Sequence, residues 1–513
     1  MINILLGVGG TGAKVVEAAL MLLMSGVDIG AATTVHVGLI DQDSSNGNIA
    51  RTRAVLNNIL DFRASWGKKN SPNVIDWVAD GHPDFGATEI RPLFQDEDNA
   101  LWCPTQKQGT LRSIVGDNLG DDQRHLFNML FMEGPEEQDL PLGKGYRGRA
   151  HVGATALVAA LVEEDNVLLK RLKELMEDAG RQPVNIFIVG SAFGGTGAAG
   201  FPTLARALHR IIMAADFKNK DMVSLGGMLM LPYFSFDNPE EGADAVVTPD
   251  ELLPKARLAL EYYENLFAHE STFDRFYALG WEAFFPLGYH EAGSQEQTNP
   301  ALLPEMLAAG AMVDFFRRDN LAEKEPVVPI MVSARQDKVI KWRDFPVADL
   351  EAKFGQMLRF VTYWRYIGEP LLGERTMFGS NWAQKLASGV KAVDSEIPLN
   401  ALRELIDDIL VWAATLEHMG GAFWKEGPWD LSRLLDQAHE ATPTKPVLVR
   451  ESLSGTQPYD AIDNLIRTDG RDFVPRRAAE MHEDLTRSKG APGGEHQGIG
   501  RTVATVYAAA TMR

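Results

Sequence analysis

The sequence predicts an α/β protein, with a mostly parallel sheet that carries helices on both faces and a largely helical region after it. The first observation is a regular alternation: short apolar, β-branched runs and amphipathic helical patterns follow one another from Met1 to about Phe316. Such alternation is typical of parallel strands joined by helical crossovers. The second is a change after Val347, beyond which nearly every periodic segment is helical.

The composition excludes some classes of function. The formal net charge of −20 argues against a nucleic acid or an anionic membrane as a partner. No apolar run approaches the roughly 18–20 residues of a membrane span, and the first residues read as a strand and not as a leader. Because Cys103 is the single cysteine, no internal disulfide is possible, and we expect a cytoplasmic protein.

A glycine-rich loop follows the first predicted strand. Ile2–Leu6 runs into Gly7–Gly12, and a helical pattern continues from Ala13 to about Ser25. A G-x-G-x-x-G sequence between a strand and a helix directs backbone N–H groups at one spot, which attracts phosphate. Lys14 comes one residue too late for a Walker P-loop. The loop residues expected to bind phosphate are Gly9, Gly10, Thr11 and Gly12.

Two acidic residues end the second predicted strand, Thr34–Ile40. A carboxylate at the position of Asp41 or Asp43 commonly contacts a ribose, or a metal ion on the phosphates. The polar residues that follow are equally consistent with a solvated turn. For Arg51–Gln123 we expect short helices and loops on the edge of the sheet, because no lasting periodicity is present.

A basic, glycine-rich segment, Gly143–Arg149, ends the next loop. In so acidic a chain, basic residues on a loop indicate contact with an anion, although they could equally pair with local carboxylates. The residues expected to bind are Arg147, Gly148 and Arg149. A long helix from about Ala150 to Asp178, broken near Glu164, then leads to the central strand.

The chain is organised around a second strand–glycine loop–helix unit. The buried strand Val184–Val189 runs into Gly190–Gly197, and an alanine-rich helix continues through Leu208. Glycines allow the backbone to approach a phosphate and to adopt positive φ, and Thr196 adds a hydroxyl at the start of the helix. A turn that only packs a helix on a strand is the alternative. The residues expected to bind are Gly194, Gly195, Thr196, Gly197 and Ala198.

The remaining patterns alternate once more before becoming helical. Strands are predicted at Met222–Leu231, Trp281–Leu287 and Pro326–Ser333. Asn299–Phe316 is apolar almost all round, which predicts a helix buried between two layers. The other predicted helices are Pro249–Phe267, Ala348–Arg365, Leu399–His418, Leu431–His439 and Arg476–Ser488.

The two glycine loops together resemble those of the tubulin/FtsZ superfamily, in which a loop after the first strand and a GGGTG(S/T)G loop after the fourth wrap the nucleotide phosphates. Phe193–Gly200, FGGTGAAG, is similar to that signature, with Phe193 in place of its first glycine. Further segments that match the family in order are Gly7–Gly12, Asp41–Ser44, Gly143–Gly153 and Pro232–Phe236. The chain resembles a divergent bacterial tubulin-like protein over about residues 1–316.

The resemblance implies a Rossmann-like nucleotide-binding domain over residues 1–298, a central helix over 299–320 and a C-terminal domain over 321–513. It implies GTP or GDP with Mg²⁺, head-to-tail self-assembly into filaments, and slow GTP hydrolysis completed where two subunits meet. The helical C-terminal region is a candidate docking site for another protein.

Several residues depart from the family pattern. Lys14 stands where FtsZ carries an asparagine used towards the base, and Asn299 and Glu305 stand where an Asn-Asp pair reads guanine. ATP therefore stays open beside GTP. The nearest candidates for the acidic residues that complete hydrolysis are Asp344 and Asp349, although this pattern is also typical of a helix N-cap with acidic residues in its first turn.

Two other functions share the first loop. GVGGTG followed by Asp41-Gln42-Asp43, Asn48 and Arg51 resembles the G-x-G-G-x-G…D-x-D…N-x-x-R pattern of the E1/ThiF adenylating enzymes. Those enzymes do not need the second glycine loop, and Cys103 is not in a catalytic-cysteine setting. An NAD-dependent oxidoreductase rests on Gly7–Gly12 alone.

Overall fold

The computed structural model describes residues 1–31, 34–66, 85–94, 100–105, 109–177, 182–237, 248–269, 272–282, 284–288, 298–318, 330–332, 339–374, 380–387, 396–435, 448, 457–470, 474–488 and 498–512. Its core is a parallel sheet between two helical layers, so the predicted α/β class and the parallel sheet are confirmed. No helix within these ranges is both long enough and apolar enough to cross a membrane.

Within the described ranges, eight strands form the central sheet, in the order β10-β8-β6-β5-β1-β2-β3, with β4 also paired to β2. Every pairing in this sheet is parallel. The strands are β1 (Ile2–Val8), β2 (Thr34–Ile40), β3 (Glu89–Pro92), β4 (Leu101–Trp102), β5 (Val184–Ser191), β6 (Val223–Met230), β8 (Arg275–Leu279) and β10 (Ile330–Val332). A small second sheet pairs β7 (Phe234–Phe236) with β9 (Phe285–Leu287).

The strand order reverses between β1 and β5, which are neighbours in the sheet although far apart in sequence. All residues of both strands are buried, as apolar strands covered on both faces require. The register pairs Gly7 with Val189, so β1 and β5 end side by side at the same edge of the sheet. A ligand crevice is expected at such a reversal, outside the carboxyl ends of the strands.

The helices cover both faces of the sheet. One face packs on α6 (Val167–Glu177), α7 (Thr196–Met213) and α8 (Leu252–His269). The other face packs on α1 (Gly9–Ser25), α2 (Gly47–Trp66) and α9 (Leu303–Arg317). Between β4 and α6 lie α3 (Leu111–Ile114), α4 (Asp121–Leu130) and α5 (Ala150–Leu161). These last three surround a small core of their own.

The C-terminal helices share the core beneath α1, α2 and α9. They are α10 (Leu350–Tyr363), α11 (Glu369–Gly373), α12 (Trp382–Leu386), α13 (Glu396–Met419), α14 (Gln457–Asp463), α15 (Ala478–Arg487) and α16 (Gly498–Ala509). Strand β10, which follows α9 along the chain, returns to pair with β8. The sheet therefore extends beyond residue 298. Helix α9 packs on one face of it and lies, along the chain, between β8 and β10, two strands of this sheet.

Several elements differ from the sequence prediction. In its described part, the predicted strand Trp281–Leu287 is extended only at β9, and the unpredicted β8 before it is the strand that joins the central sheet. Helix α2 runs over Gly47–Trp66, where short helices and loops were expected from Arg51 onward. Its buried residues between Thr52 and Trp66 recur every three or four positions and face α1 and α13. Helix α9 starts at Leu303, since Pro304 occupies its first turn and Glu305 caps it, so Asn299 precedes the helix. The described part of Leu431–His439 holds a 3₁₀ turn, and residues from 436 onward lie outside the described ranges.

Candidate functional site

A cavity of about 250 Å³ opens at the carboxyl ends of β1 and β5, where the strand order reverses. Both glycine loops line it, together with the basic loop after α4, the acidic end of β2 and an apolar wall. The predicted site residues found in its lining are Gly9, Gly10, Thr11, Asp41, Asp43, Arg147, Gly148, Gly194, Gly195, Thr196, Gly197 and Asn299. The structure therefore gathers most of the predicted residues into one cavity.

The two glycine loops press against each other. Gly9 has a φ of +75°, and a Cβ built on it would lie 2.8 Å from the backbone nitrogen of Gly197. A Cβ on Gly197 would in turn lie 2.5 Å from the hydroxyl of Ser191. Gly194 has a φ of +82°, and a Cβ there would meet open space among the described residues. The glycines thus bring the backbones together and leave room above them for a ligand.

Three helix N-termini meet at the cavity. Helix α1 begins at Gly9, α2 at Gly47 directly after the lining residue Asn46, and α7 at Thr196. The first turns of these helices, all within the described ranges, contain no acidic residue. Their unsatisfied N–H groups and the positive ends of their dipoles therefore favour an anion in the cavity. The helix start inside the first loop, four residues earlier than predicted, strengthens this effect.

A buried carboxyl group joins the second glycine loop to the end of β2. The Thr196 hydroxyl donates to Oδ1 of Asp41 at 2.7 Å, and the backbone N–H of Asp43 donates to the same oxygen at 3.1 Å. Burial raises the pKa of Asp41 to about 7, against the lowering effect of these hydrogen bonds. Asp43 accepts from the backbone N–H and the hydroxyl of Ser45. Two carboxyl groups therefore form one wall of the cavity.

Their chemistry suits a hard cation. Within the described ranges, no group of three or more His, Cys, Asp or Glu residues could hold a metal ion. Asp41 and Asp43 supply only oxygen donors, and Mg²⁺ characteristically takes one or two carboxylates and draws its other ligands from phosphates and water. The residues present therefore fit Mg²⁺ only when a phosphate ligand shares it.

The basic loop closes the cavity through an irregular backbone. Gly145 and Gly148 have φ values of +77° and +76°, and Arg147 is the only non-glycine residue with positive φ in the described chain, at 45°. Lys144 and Arg147 line the cavity. A bulky residue in this left-handed region stores strain, which is common where a loop is shaped for a ligand. Arg149 lies outside the described lining, one residue before α5.

Tyr146 anchors this loop, and the sequence analysis missed it. Its ring is buried, and its hydroxyl donates to the Gln42 side chain at 3.3 Å. A Cβ on Gly153 would lie 2.6 Å from this ring, and one on Gly195 would lie 3.0 Å from the Tyr146 Cβ. The glycine at 153 therefore makes room for a tyrosine that ties the basic loop to the second glycine loop and to the end of β2. The one sign of this packing in the sequence is an aromatic residue within the glycine-rich segment Gly143–Arg149.

Lys14, Gly12 and Ala198 lie outside the described lining. Lys14 is 3% exposed and its Nζ lies 2.5 Å from Oε2 of Glu17, on the same helix. A Cβ on Gly12 would lie 2.8 Å from both the Gly7 carbonyl carbon and the Val189 oxygen, so this glycine serves helix–strand packing. Ala198 follows in the first turn of α7.

An amide cluster and an apolar wall complete the cavity. Oδ1 of Asn48 accepts from the backbone N–H of Asn299 at 2.7 Å, which fixes the segment before α9 against the start of α2. Glu305, which lies outside the described lining, accepts from the Tyr233 hydroxyl at 3.0 Å, and burial raises the pKa of Glu305 to about 7. The apolar wall consists of Phe193, Phe234, Phe236, Leu252 and Leu287. Amides and aromatic faces are groups that can orient a heterocyclic base.

Asp344 and Asp349 lie away from the cavity. Oδ2 of Asp349 accepts from the backbone N–H of Asp28 at 2.9 Å, and Asp28 follows the carboxyl end of α1. Since the 17-residue α1 begins at the cavity and is about 25 Å long, Asp349 is at the opposite pole. Asp344 accepts from the backbone N–H of Lys341 at 2.8 Å. Asp344 therefore caps a short helical turn, as the alternative interpretation predicts. Asp349 occupies the N-cap position of α10, but its side chain makes no capping hydrogen bond there.

Comparisons of this chain with protein-family models, with curated proteins and with solved structures find no match. The described lining of the cavity combines the glycine loops with two carboxyl groups, two basic side chains and an apolar wall.

Proposed function

We propose that this cavity binds a nucleoside triphosphate, GTP in the first instance, with Mg²⁺, and that the chain is a tubulin/FtsZ-like GTPase that assembles head to tail. The observation that carries the proposal is the contact between two separate glycine loops, Gly9 against Gly197, at the reversal of strand order. A dinucleotide-binding enzyme needs one such loop. Two loops facing each other suit a phosphate chain that is held from both sides.

The phosphates are held mainly by backbone. The N-termini of α1 and α7 offer N–H groups from the two loops, and Lys144 and Arg147 add positive charge from a third side. Fixed donors of this kind also stabilise the negative charge that develops when the terminal phosphoryl group is transferred. The apolar wall with Phe234 and Phe236 takes the base.

Asp41 and Asp43 are the residues that would hold Mg²⁺, in company with the phosphate oxygens. When bound, the ion neutralises phosphate charge. The Thr196 hydroxyl orients the Asp41 carboxyl group, and loss of the Asp41 proton prepares that group for a cation.

Hydrolysis is completed by a neighbouring subunit. Asp349 is at the pole opposite the cavity, so in a head-to-tail contact that pole of one chain meets the open cavity of the next. Such a contact joins two different surfaces and does not close, which produces a filament. A carboxylate of the neighbour then positions the attacking water, and hydrolysis is coupled to assembly.

An E1/ThiF-like adenylating enzyme is the second candidate. Asp41, Asp43 and Asn48 of its motif all line the cavity, which favours it. Arg51, the last motif residue, instead pairs with Glu17 at 3.1 Å and with Asp408 at 3.0 Å. An arginine held in this way is not placed to contact a phosphate, so we prefer the first candidate.

Identification of the co-purifying nucleotide separates the two candidates. Guanine nucleotide, together with light scattering that rises on addition of GTP and Mg²⁺ and falls as GTP is consumed, is the expected result. ATP-dependent pyrophosphate exchange without GTP binding would overturn the proposal in favour of adenylation.

Two variants test the second glycine loop directly. Gly195→Asp places a negative charge beside Tyr146 and the basic loop, and Thr196→Val removes the hydroxyl. Both should weaken nucleotide binding by at least about tenfold. Gly470→Ala, which meets open space among the described residues, is the matched control and should bind normally. Unchanged affinity in both loop variants contradicts the assignment.

A further inference from the structure

Helix α4 packs on the protein by very little of its surface. Every residue of this ten-residue helix is described, and of these Phe127 alone is buried. Phe127 and the following Phe131 insert into the small core around α3 and α5, and Phe131 stacks on His151 with ring centroids 5.8 Å apart. A helix of this length is marginal by itself in water, so these two aromatic anchors hold it in place.

An apolar stripe on α4 faces water. Leu126, Met129 and Leu130 are 56%, 84% and 60% exposed, and Met132, just beyond the helix, is 57% exposed. The spacing i, i+3, i+4 places the three helical residues on one face. Large apolar side chains that expose more than half of their surface as a contiguous patch characterise an interaction site. Methionine adapts to different partner shapes.

The charges around the stripe specify the kind of partner. Asp121 and Asp122 precede the stripe, Glu133 and Glu136 follow it, and all four are exposed. They outnumber Arg124, the one exposed arginine of the helix. A second copy of this chain, with a net charge of −20, and an anionic membrane are both repelled by such a rim. An amphipathic helix with basic residues beside its apolar face is complementary to both the stripe and the rim.

We propose that the α4 surface, formed by Leu126, Met129, Leu130 and Met132 with their acidic rim, is a docking site for a basic amphipathic helix of another protein. The partner lays its apolar face along the stripe and its lysine or arginine side chains against the acidic rim. The site is independent of the proposed nucleotide function, because it uses none of the residues that line the cavity.

The test uses the full chain and a synthetic 18-residue peptide of Leu and Lys that forms an amphipathic helix. A peptide of the same composition, scrambled so that no apolar face forms, is the control ligand. Titration calorimetry should detect the first peptide and not the second. Hydrogen exchange should show new protection of the amides of residues 121–132 on binding, against low protection in the isolated chain.

Three variants distinguish the stripe from its rim. Met129→Ser with Leu130→Ser should lower the affinity at least about tenfold. Glu133→Gln with Glu136→Gln, which leaves the helix untouched, should lower it several-fold and flatten its dependence on salt. Leu258→Ser on α8, where Leu258 is 65% exposed, is the control and should bind as the native chain does.

Four outcomes of the peptide experiments overturn the proposal. They are equal binding of the scrambled peptide, equal loss in the Leu258→Ser control, protection of α4 before any peptide is added, and native affinity in both the stripe and the rim variants. Dissociation of a self-associated form by Met129→Ser would instead assign the surface to a second copy, and binding to anionic lipid vesicles would assign it to a membrane. Either result also contradicts the proposal.

Discussion

The side-chain hydroxyl of Thr196 donates a 2.7 Å hydrogen bond to the carboxyl group of Asp41. One residue begins α7 and the other follows β2, so the bond links the second glycine loop to the acidic end of a different strand. Both side chains are buried at the cavity wall. Because burial makes such a bond costly to lose, the geometry of the cavity depends on it.

Replacement of Thr196 by valine keeps the shape of the side chain and removes the donor. Asp41 then loses a hydrogen bond that lowers its pKa, so its pKa should rise further above the ordinary range. We expect a loss of roughly 1–2 kcal/mol in the free energy of unfolding at pH 8, measured by urea denaturation. Thr196→Ser retains the hydroxyl and should stay close to the native value. A serine variant as unstable as the valine variant would show that the methyl group, and not the hydrogen bond, matters.

The raised pKa of Asp41 predicts how the free energy of unfolding depends on pH. The pKa is about 7 in the folded chain and near its ordinary value of 3.8 when unfolded. Between these values the unfolded chain has released the proton and the folded chain has kept it, so this group makes stability fall as pH rises. Asp41→Asn removes that effect.

Urea denaturation from pH 5 to pH 8 in the absence of nucleotide checks this sign. The free energy of unfolding of Asp41→Asn, relative to the native chain, should increase with pH and level off above about pH 7. A difference that is constant across this range would mean that Asp41 is ionised throughout. Glu305 and Glu417, whose pKa values burial also raises to about 7, contribute equally to both proteins and cancel in the difference.

Substitution of Gly9 by alanine should separate the two glycine loops. The new Cβ meets the Gly197 nitrogen at 2.8 Å, and a φ of +75° disfavours any side chain. We expect nucleotide affinity, measured by fluorescence titration, to fall at least about tenfold. Gly194→Ala has the unfavourable φ without the clash, so it should bind less weakly than Gly9→Ala. Equal losses in the two variants would assign the effect to backbone strain alone.

Replacement of the strained Arg147 should weaken nucleotide binding while leaving the stability of the fold nearly unchanged. Arg147→Gly removes the guanidinium group from the cavity and suits a φ of 45°. Nucleotide affinity should fall about tenfold, while the free energy of unfolding stays within about 1 kcal/mol of the native value. Arg149→Gly is the control on the same loop, because Arg149 lies outside the described lining. An equal loss of affinity in this control would show that both arginines reach the ligand.

A buried ion network joins the two helices that start at the cavity to the C-terminal region. The Glu17 carboxylate of α1 forms ion pairs with Lys14 and Arg51. Arg51, on α2, also forms an ion pair with Asp408 of α13 at 3.0 Å. Burial alone raises the pKa of Glu17, but Lys14 and Arg51 outweigh it and hold the pKa below its ordinary value. Oδ2 of Asp408 accepts from Asn58 at 2.7 Å.

Removal of Asp408 should therefore destabilise the chain. We expect Asp408→Ala to lower the free energy of unfolding by about 2 kcal/mol, less than the roughly 3–5 kcal/mol of a fully buried pair because the Arg51 side chain is 31% exposed. Asp407→Ala, on the same helix, breaks a pair with Arg365 in which the Asp407 side chain is 41% exposed, against 11% for Asp408, and should cost under about 1 kcal/mol. Urea denaturation compares the two variants, and similar losses would contradict a special role for the network.

Local patterns in the sequence were sufficient for the strands and loops that form the cavity. The apolar runs before Gly7 and Gly190 indicated strands, and the glycines after them indicated close backbone approach. Both indications are local, because β-branched residues favour extended backbone and glycine permits positive φ wherever they occur. Asp41, Thr196 and Arg147 were recognised for the same reason: each lies directly beside a strand end or a glycine.

Contacts between distant segments could not be predicted in this way. Lys14 lies beside the first glycine loop in sequence, yet its helix phase turns it towards Glu17 and into the core. Tyr146 fits against Gly153 and Gly195 only after α5 and α7 have packed together. Helix α2 is the exception, because its buried positions between Thr52 and Trp66 recur every three or four residues and the helix could have been predicted locally.

The sequence by itself thus determined the parallel α/β sheet and the two glycine loops, since strand propensity and the glycine backbone are properties of single segments. Only the tertiary structure decided that Gly9 touches Gly197, that Asn48 holds Asn299, and that Asp349 is at the far pole of α1. The physical reason is that strand order, register and helix packing are set by burial of the whole core, and no local segment contains that information.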